Sequence, residues 1–181
     1  MAMKIPRLGL AFIVGAASLL LQEAQAQHPP MASVIKAQAV DMGRALVSGD
    51  VEKFGSYMHP TLVEKAGGPE KMRAMADTMN KLFVQFGAEV KKLVFGNPAA
   101  VVKHQKTLQT TLSQTTYLTT LMGDIEVSST LVAISMDQGK HWYFIDTSIY
   151  QERTLRKDLP EISPVLVIPP PQKPKIIPKE Q

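Results

Sequence analysis

The sequence predicts an α+β domain in which N-terminal helices pack on a strongly bent antiparallel sheet of about four strands. Residues 31–86 carry apolar side chains at helical spacing and are interrupted by glycine and proline. Residues 89–148 are instead rich in β-branched residues and form a series of strand-like segments. Helices that precede a run of strands favour an antiparallel sheet with the helices on one face. A proline-rich extended tail follows the sheet.

The helical half begins with a helix over residues 31–47, which Gly49 is suited to end. A short helix near residues 51–58 and a single turn over residues 60–65 are predicted next. Pro69 suits the first turn of the clearest helix, which runs to about residue 86. Its apolar stripe is predicted to face the core and consists of Met72, Met75, Met79, Leu82, Phe83 and Phe86.

The strand half begins after Gly87. The first strand is predicted over residues 89–95, and the second over residues 107–120, a segment with seven threonines. The third is predicted over residues 125–136 and the last over residues 141–148, with a tight turn between them.

The N-terminus has the three parts of a secretory signal peptide. Lys4 and Arg7 precede an uncharged apolar run over residues 8–21, and Ala24 and Ala26 offer small residues for cleavage. The apolar run of about 14 residues is short for a ~30 Å hydrocarbon core. We therefore expect residues 1–26 to be removed, leaving an exported, periplasmic or secreted protein without a membrane span. An uncleaved anchor is the alternative.

The composition restricts the remaining chain. There is no cysteine, so the predicted domain, residues 28–150, has no disulfide and depends on its core. Removing Lys4, Arg7 and Glu23 leaves 18 basic and 15 acidic residues, a net charge of +3. This weak, dispersed charge argues against a nucleic-acid partner.

The C-terminal extension, residues 151–181, holds seven of the 13 prolines. We expect a helical turn over residues 153–158, followed by an extended, largely polyproline II segment. Residues 165–168 are apolar, which favours packing of the first half of this tail on the domain. The alternative is a docking segment for a partner in the cell envelope.

Two short segments, together with the order of the elements, resemble a known superfamily. They are the helix end at residues 45–50 (ALVSGD) and the closing strand at residues 139–146 (GKHWYFID). Residues 31–148 resemble the nuclear transport factor 2-like superfamily, which includes SnoaL-like and ketosteroid-isomerase-like domains, and in particular exported bacterial members of unassigned function. The resemblance implies a cone-shaped fold with a pocket at its open end, and many members pair through the outer face of the sheet.

Side chains that suit such a pocket are the candidate ligand-cavity residues Tyr57, His59, Phe83, Tyr117, Trp142 and Asp146. Enzymes of the superfamily use a carboxylate or histidine base with a tyrosine or protonated acid as hydrogen-bond donor. None of these positions matches a catalytic motif closely enough to carry a role over. A tyrosine with a satisfied hydroxyl in the core, and a turn residue at His59, are the alternatives.

Residues 135–142 (SMDQGKHW) resemble the Asp-box hairpin of sialidase-type propellers. In that motif the aspartate bonds the turn backbone and the tryptophan packs beneath it, so Asp137, Gly139 and Trp142 are predicted to form a structural hairpin. A propeller needs the repeat in each blade, and one copy is present. A sugar-binding role is the alternative.

Metal and cofactor sites are not predicted. The four histidines, at positions 28, 59, 104 and 141, lack the spacing of metal-binding motifs. Methionine can bind copper, but Met72, Met75 and Met79 recur at helical core spacing instead.

The last two long strands are apolar on both faces. Leu131 and Ala133 share one face, and Val132 and Ile134 share the other. Because the helices cover one face, a second subunit is predicted to cover the other, giving a homodimer through the sheet. The proline-rich tail is the alternative cover.

These observations favour an exported, non-catalytic binding module for a small apolar ligand. A protein-interaction role of the tail and a small cofactor-independent isomerase or dehydratase are the alternatives. The second of these depends on superfamily analogy alone.

Overall fold

The computed structural model describes residues 30–178. The predicted signal peptide and His28 lie outside the described residues. The helices are α1 (Met31–Ser48), α2 (Val51–Ser56), α3 (Pro60–Lys65), α4 (Pro69–Gln85) and α5 (Glu152–Asp158). The strands are β1 (Glu89–Phe95), β2 (Val102–His104), β3 (Thr107–Thr119), β4 (Gly123–Ser135), β5 (Tyr143–Asp146) and β6 (Lys175–Pro178). Within residues 30–178, no helix has both the length and the apolar character needed to cross a bilayer.

The strands form one antiparallel sheet that curls strongly into a half-barrel, and helices pack against it. Its order is β1-β3-β4-β5, with β2 paired to β3 and β6 paired to β4. The β3–β4 hairpin forms the centre of the sheet, and each of its strands has 13 residues. The two strands pair continuously, from Leu108 opposite Ser135 to Thr119 opposite Asp124. Their β-branched residues account for this long pairing. The predicted α+β class with a bent antiparallel sheet is thereby confirmed.

One core lies on the face of the sheet that carries α1, here called the inner face. Side chains spaced three or four residues apart on α1 meet alternate residues of the strands. This core consists of Ile35, Ala39, Met42, Tyr57, Phe95, Leu112, Leu131, Ala133, Trp142 and Phe144. Gln38 fixes α1 to the turn before β5, because its Nε2 donates to Lys140 O (2.8 Å) and its Oε1 accepts from Trp142 N (2.9 Å).

A second core lies on the opposite, outer face. Here α5 and the segment after it, residues 152–168, cross the strands and are called the C-terminal strap. The strap buries five aliphatic side chains, each 8 % exposed or less: Leu155, Leu159, Ile162, Leu166 and Ile168. They pack on strand residues that include Val132, Ile134 and Ile145.

Buried hydrogen bonds hold the strap on the sheet. Gln109 is fully buried, its Nε2 donates to Glu161 O (2.7 Å), and its Oε1 accepts from Ser163 N (2.8 Å). Within the strap, Arg156 donates to Ser163 O and Leu166 O, both at 2.9 Å, which ties the segment after α5 to that helix. The sequence left open whether a second subunit or the tail covers the outer face of the sheet. In the structure the cover is the strap, which belongs to the same chain. The homodimer prediction assumed that the outer face of the sheet is uncovered, and the strap covers that face.

The sheet has more strands than the four predicted. β2 is a three-residue strand beside the start of β3, and it was not predicted. β6 lies in the proline-rich tail, where an extended, largely polyproline II segment was expected. It pairs with Gly123–Glu126 of β4 and all of its residues are exposed, which is the edge position that proline tolerates.

The orientation of α4 differs from the prediction. The helix lies where it was predicted, but it packs on α2 and α3 instead of on the sheet. Within Pro69–Gln85 no residue is buried, and Met75 and Met79 are 54 % and 49 % exposed. The prediction that this stripe faces the core was wrong for its outer half, since only Met72, Ala76 and Phe83 are partly covered.

Candidate functional site

An apolar cavity lies between α2, α3 and α4. It has a volume of about 280 Å³. Its apolar walls are Val51, Phe54, Met58, Val63, Met72 and Ala76, and Glu52 and Arg73 stand among its lining residues. The ends of the helices position its walls. Asp50 Oδ1 accepts from Lys53 N (3.0 Å) and so caps the start of α2. The turn at Gly67 and Gly68, both with positive φ, reverses the chain so that α4 packs beside α2. An apolar concavity with few polar groups is a typical small-molecule site.

A second cavity, of about 480 Å³, lies on the outer face beside the strap. Its lining is rich in hydroxyl and amide groups, among them Ser113, Thr115, Ser128, Thr130 and Gln172. Thr115 and Ser128 already share a hydrogen bond (3.3 Å). No charged side chain is among the described residues that line it, so its chemistry suits a neutral hydrogen-bonding ligand.

An aromatic and imidazole cluster joins α2, α3 and β5. The His141 ring stacks on Tyr57 with centroids 5.5 Å apart, and Tyr143 meets both His141 (4.7 Å) and His59 (5.7 Å) edge-on. The cluster is held in place by the backbone, because Phe144 N donates to Tyr57 O (2.8 Å). His141 Nε2 lies 3.0 Å from Ser56 O, and a carbonyl only accepts, so this nitrogen carries the proton.

The Tyr57 hydroxyl donates to Asp41 Oδ2 (2.7 Å), and Lys53 donates to Asp41 Oδ1 (2.7 Å). The hydrogen bonds from Lys53 and then from Tyr57 hold the pKa of Asp41 below its ordinary value. Burial, followed by the bond to Asp41, raises the pKa of Tyr57 to about 12. Tyr57 therefore stays protonated at physiological pH and acts as a hydrogen-bond donor to α1, not as a base.

His59 is the residue of this cluster whose buried polar atoms are unsatisfied. It is 2 % exposed, and neither ring nitrogen has a hydrogen-bond partner among residues 30–178. Its Nε2 lies 3.7 Å from Glu161 Oε1 of the strap. Burial lowers the pKa of His59 below its ordinary value of 6.5, and the Glu161 carboxylate opposes this shift without cancelling it.

The neutral His59 makes stability depend on pH. Because its pKa is lower in the folded state, the unfolded chain binds the proton more readily as pH falls through about 6.5, and stability declines there. We expect His59→Leu to lose less stability than the wild type between pH 7.5 and pH 5 in urea unfolding. His59→Leu also removes a buried imidazole without hydrogen-bond partners, which raises the free energy of unfolding by roughly 1–3 kcal/mol at most.

A matched control is His104→Leu, since His104 lies on β2 outside this cluster. This variant is expected to keep the wild-type pH dependence. An unchanged pH dependence in His59→Leu would show that other groups set the acid sensitivity.

The turn between β4 and β5 forms a closed hydrogen-bond network around Asp137. Asp137 Oδ1 accepts from His141 N (2.9 Å), Lys140 N (3.1 Å) and Ser135 Oγ (2.9 Å). These bonds, that from His141 first, lower the pKa of Asp137. Trp142 is fully buried and its Nε1 donates to Gly139 O (3.0 Å). Gly139 has φ 90°, which favours glycine. The residues of this turn are thus engaged with one another.

The predicted cavity residues do not form one site. Tyr57 and His59 lie in the aromatic cluster. Phe83 is on α4. Tyr117 is on β3, with Lys92 Nζ 4.6 Å from the centre of its ring. Asp146 is on β5, where its Oδ2 accepts from Gln114 Nε2 (2.8 Å). None of the six lines either cavity described above. Predictions from side-chain type alone therefore did not find the apolar cavity.

The residues that sequence reasoning missed are Asp41, Tyr143 and Glu161 in the cluster, and the α2–α4 wall in the cavity. Asp41 lies on the α1 face towards α2, but no local pattern links it to Tyr57. The apolar spacing of residues 51, 54 and 58 on the predicted short helix is a signal for the cavity wall.

The fold and the site define an α+β protein with helices packed on a curled antiparallel half-barrel and an open apolar cavity between α2, α3 and α4. No protein-family model matches the chain, and neither the curated proteins nor the solved structures contain a significant match. Within residues 30–178, no group of three or more histidine, aspartate or glutamate side chains is arranged to hold a metal ion.

Proposed function

We propose that this chain is an exported, non-catalytic binding protein that holds an apolar ligand, or the apolar part of an amphipathic one, between α2, α3 and α4. The observation that carries this proposal is the cavity of about 280 Å³, whose walls are mostly aliphatic and aromatic. The signal-like N-terminus supports export.

The fold supports a relation to the nuclear transport factor 2-like superfamily. Helices on a strongly curled antiparallel sheet agree with the cone that this resemblance implies. The relation guides the proposal only through architecture, because function follows from the site and not from the fold.

Catalysis is the weaker candidate. Its best support is the buried, unsatisfied imidazole of His59, but neither His59 nor the rings packed around it (Tyr57, His141 and Tyr143) line either of the two cavities described above. A base needs to reach its substrate within hydrogen-bond distance.

A filled-cavity variant tests the proposed function. Ala76 lines the cavity, so Ala76→Phe places a ring in it. We expect the neutral fluorescent probe N-phenyl-1-naphthylamine to bind the wild type saturably with enhanced emission. The Ala76→Phe variant is expected to bind it at least roughly tenfold more weakly, because the ring occupies the volume and removes about 1.4 kcal/mol or more of binding.

Ala74→Phe is the matched control, since Ala74 is exposed on the same helix and does not line the cavity. It is expected to bind the probe as the wild type does. Equal binding by the Ala76→Phe variant, or no saturable binding by the wild type, would contradict the proposal.

A further inference from the structure

An exposed apolar row runs along α4 and past its end. Met75, Met79, Leu82 and Phe86 follow one another at spacings of four, three and four residues and are 54, 49, 39 and 64 % exposed. This alternation is the a/d spacing of a helix that packs lengthwise on another helix. The inner residues of the same helix already pack on α2 and α3. The row is therefore a second helical face that lacks a partner within residues 30–178.

The hairpin tip between β3 and β4 extends the row. Leu121 touches the end of α4, because a Cβ built on Gly87 would lie 2.8 Å from Leu121 Cδ2. Leu121 and Met122 are 74 and 86 % exposed. With Met75, Met79, Leu82 and Phe86 they expose on the order of 600 Å² of side-chain surface, close to the ~800 Å² per partner of a standard interface. A patch of this size is at the upper end of what a typical monomer exposes, and such patches often mark interaction sites.

The charges of α4 lie away from the row. At 100° per residue, Glu70, Arg73, Asp77 and Lys81 lie on the opposite side of the helix. Among the residues of α4, Thr78 and Gln85 flank the row and are uncharged, and Lys71 is the one cation of this helix beside it. Helices that lie on a lipid surface carry lysine and arginine beside their apolar face. The uncharged flanks of this row therefore favour a protein partner whose own contact surface is apolar.

We propose that the α4 row is a homodimer interface in which a second copy of this chain packs its own α4 antiparallel. The antiparallel arrangement places Met75 against Phe86 of the partner subunit, and Met79 against the partner's Leu82. The contact of Met75 with the partner's Phe86 is a sulfur–aromatic contact. In both pairs a flexible methionine can adapt its shape to a more rigid side chain. Opposed helix dipoles favour the same direction. The two-fold symmetry closes the assembly at two subunits.

This interface differs from the sheet-face dimer expected from the sequence, and it is independent of the ligand cavity. Met79 and Leu82 do not line that cavity, so dimerisation and probe binding are separately measurable.

Sedimentation velocity over a range of concentrations tests the interface. We expect the wild type to sediment as a dimer, and Met79→Lys and Met75→Lys to raise the dissociation constant at least roughly tenfold by burying an unpaired charge. Ala74→Lys, on the polar side of α4, is expected to remain dimeric. Circular dichroism and probe binding would verify that each variant is folded. A monomeric wild type, or a dimer that both row variants leave intact, would overturn the proposal.

The absence of cysteine from the sequence allows a second test that reports direction. A mixture of the Met75→Cys and Phe86→Cys proteins, one of them enlarged by a tag, is expected to form a mixed disulfide on oxidation. Phe86→Cys alone is expected to form none, because antiparallel packing keeps the two copies of position 86 about 16 Å apart along the helix axis. Val84→Cys, 81 % exposed and off the row, is the control for random collision. Efficient self-linking of Phe86→Cys with no mixed product would overturn the antiparallel arrangement.

Discussion

Removing residues 152–181 is expected to abolish cooperative folding. The strap supplies Leu155, Leu159, Ile162, Leu166 and Ile168 to the outer core. Burial of five such side chains is worth roughly 7–15 kcal/mol, which matches the ~5–15 kcal/mol stability of an ordinary domain. The truncation also removes two of the three hydrogen-bond partners of the buried Gln109 amide, Glu161 O and Ser163 N, and leaves only Thr107 Oγ1. Urea unfolding followed by circular dichroism should show no sharp transition.

A shorter truncation, of residues 173–181, separates the strap from the end of the tail. It removes β6, whose residues are all exposed, and leaves the strap intact. This variant is expected to unfold cooperatively with a midpoint near that of the wild type. A chain that ends at residue 151 and still unfolds sharply near the wild-type midpoint would show that the strap is dispensable.

Trp142→Ala is expected to destabilise the fold by about 3–5 kcal/mol, the range for removing a buried aromatic side chain. Trp142 is fully buried in the inner core, and its Nε1 bond to Gly139 closes the turn before β5. The loss should appear as a lower midpoint in urea unfolding followed by far-ultraviolet circular dichroism.

Two companion variants divide this loss into its parts. Trp142→Phe keeps most of the apolar surface and removes the Nε1 donor, so a smaller loss is expected. Lys140→Ala changes an exposed side chain of the same turn and should alter stability by about 0.5 kcal/mol or less. If Trp142→Ala cost under about 1 kcal/mol, the inner core would not depend on this residue.

Local patterns were sufficient to predict most elements. α1 and α4 have apolar side chains at helical spacing with glycine or proline at their ends, and β1 was predicted over the residues it occupies. β2 and β6 were missed because a short strand and a proline-containing edge strand depend on a partner strand for their existence. For β6 this pairing links residues far apart in sequence, for example Ile177 with Asp124.

Spacing alone does not reveal which of two apolar surfaces a helix buries. The stripe of α4 spans more than one face, and the structure covers only the side with Met72, Ala76 and Phe83. Similarly, two apolar sheet faces require two covers, but the sequence does not state where the second comes from. The alternation in residues 165–168 becomes meaningful only with the strap in place, where Leu166 and Ile168 are buried and Val165 and Val167 are exposed.

The candidate sites were predictable only in fragments. Tyr57 and His59 were selected by side-chain type, and they do lie in one cluster. Their partners, however, lie up to about a hundred residues away, as Glu161 does from His59. The apolar cavity depends on the angle at which α4 leaves the glycine turn, which no periodicity specifies.

The position of the strap in the chain has a consequence for biosynthesis. The strap is C-terminal to β1–β5, so these strands leave the ribosome before the segment that shields their outer face. A sheet that forms before the strap docks has Val132, Ile134 and Ile145 open to water. In that state the chain presents an apolar surface of the kind that holdase chaperones bind, and native structure is completed only when residues 152–168 dock on the sheet.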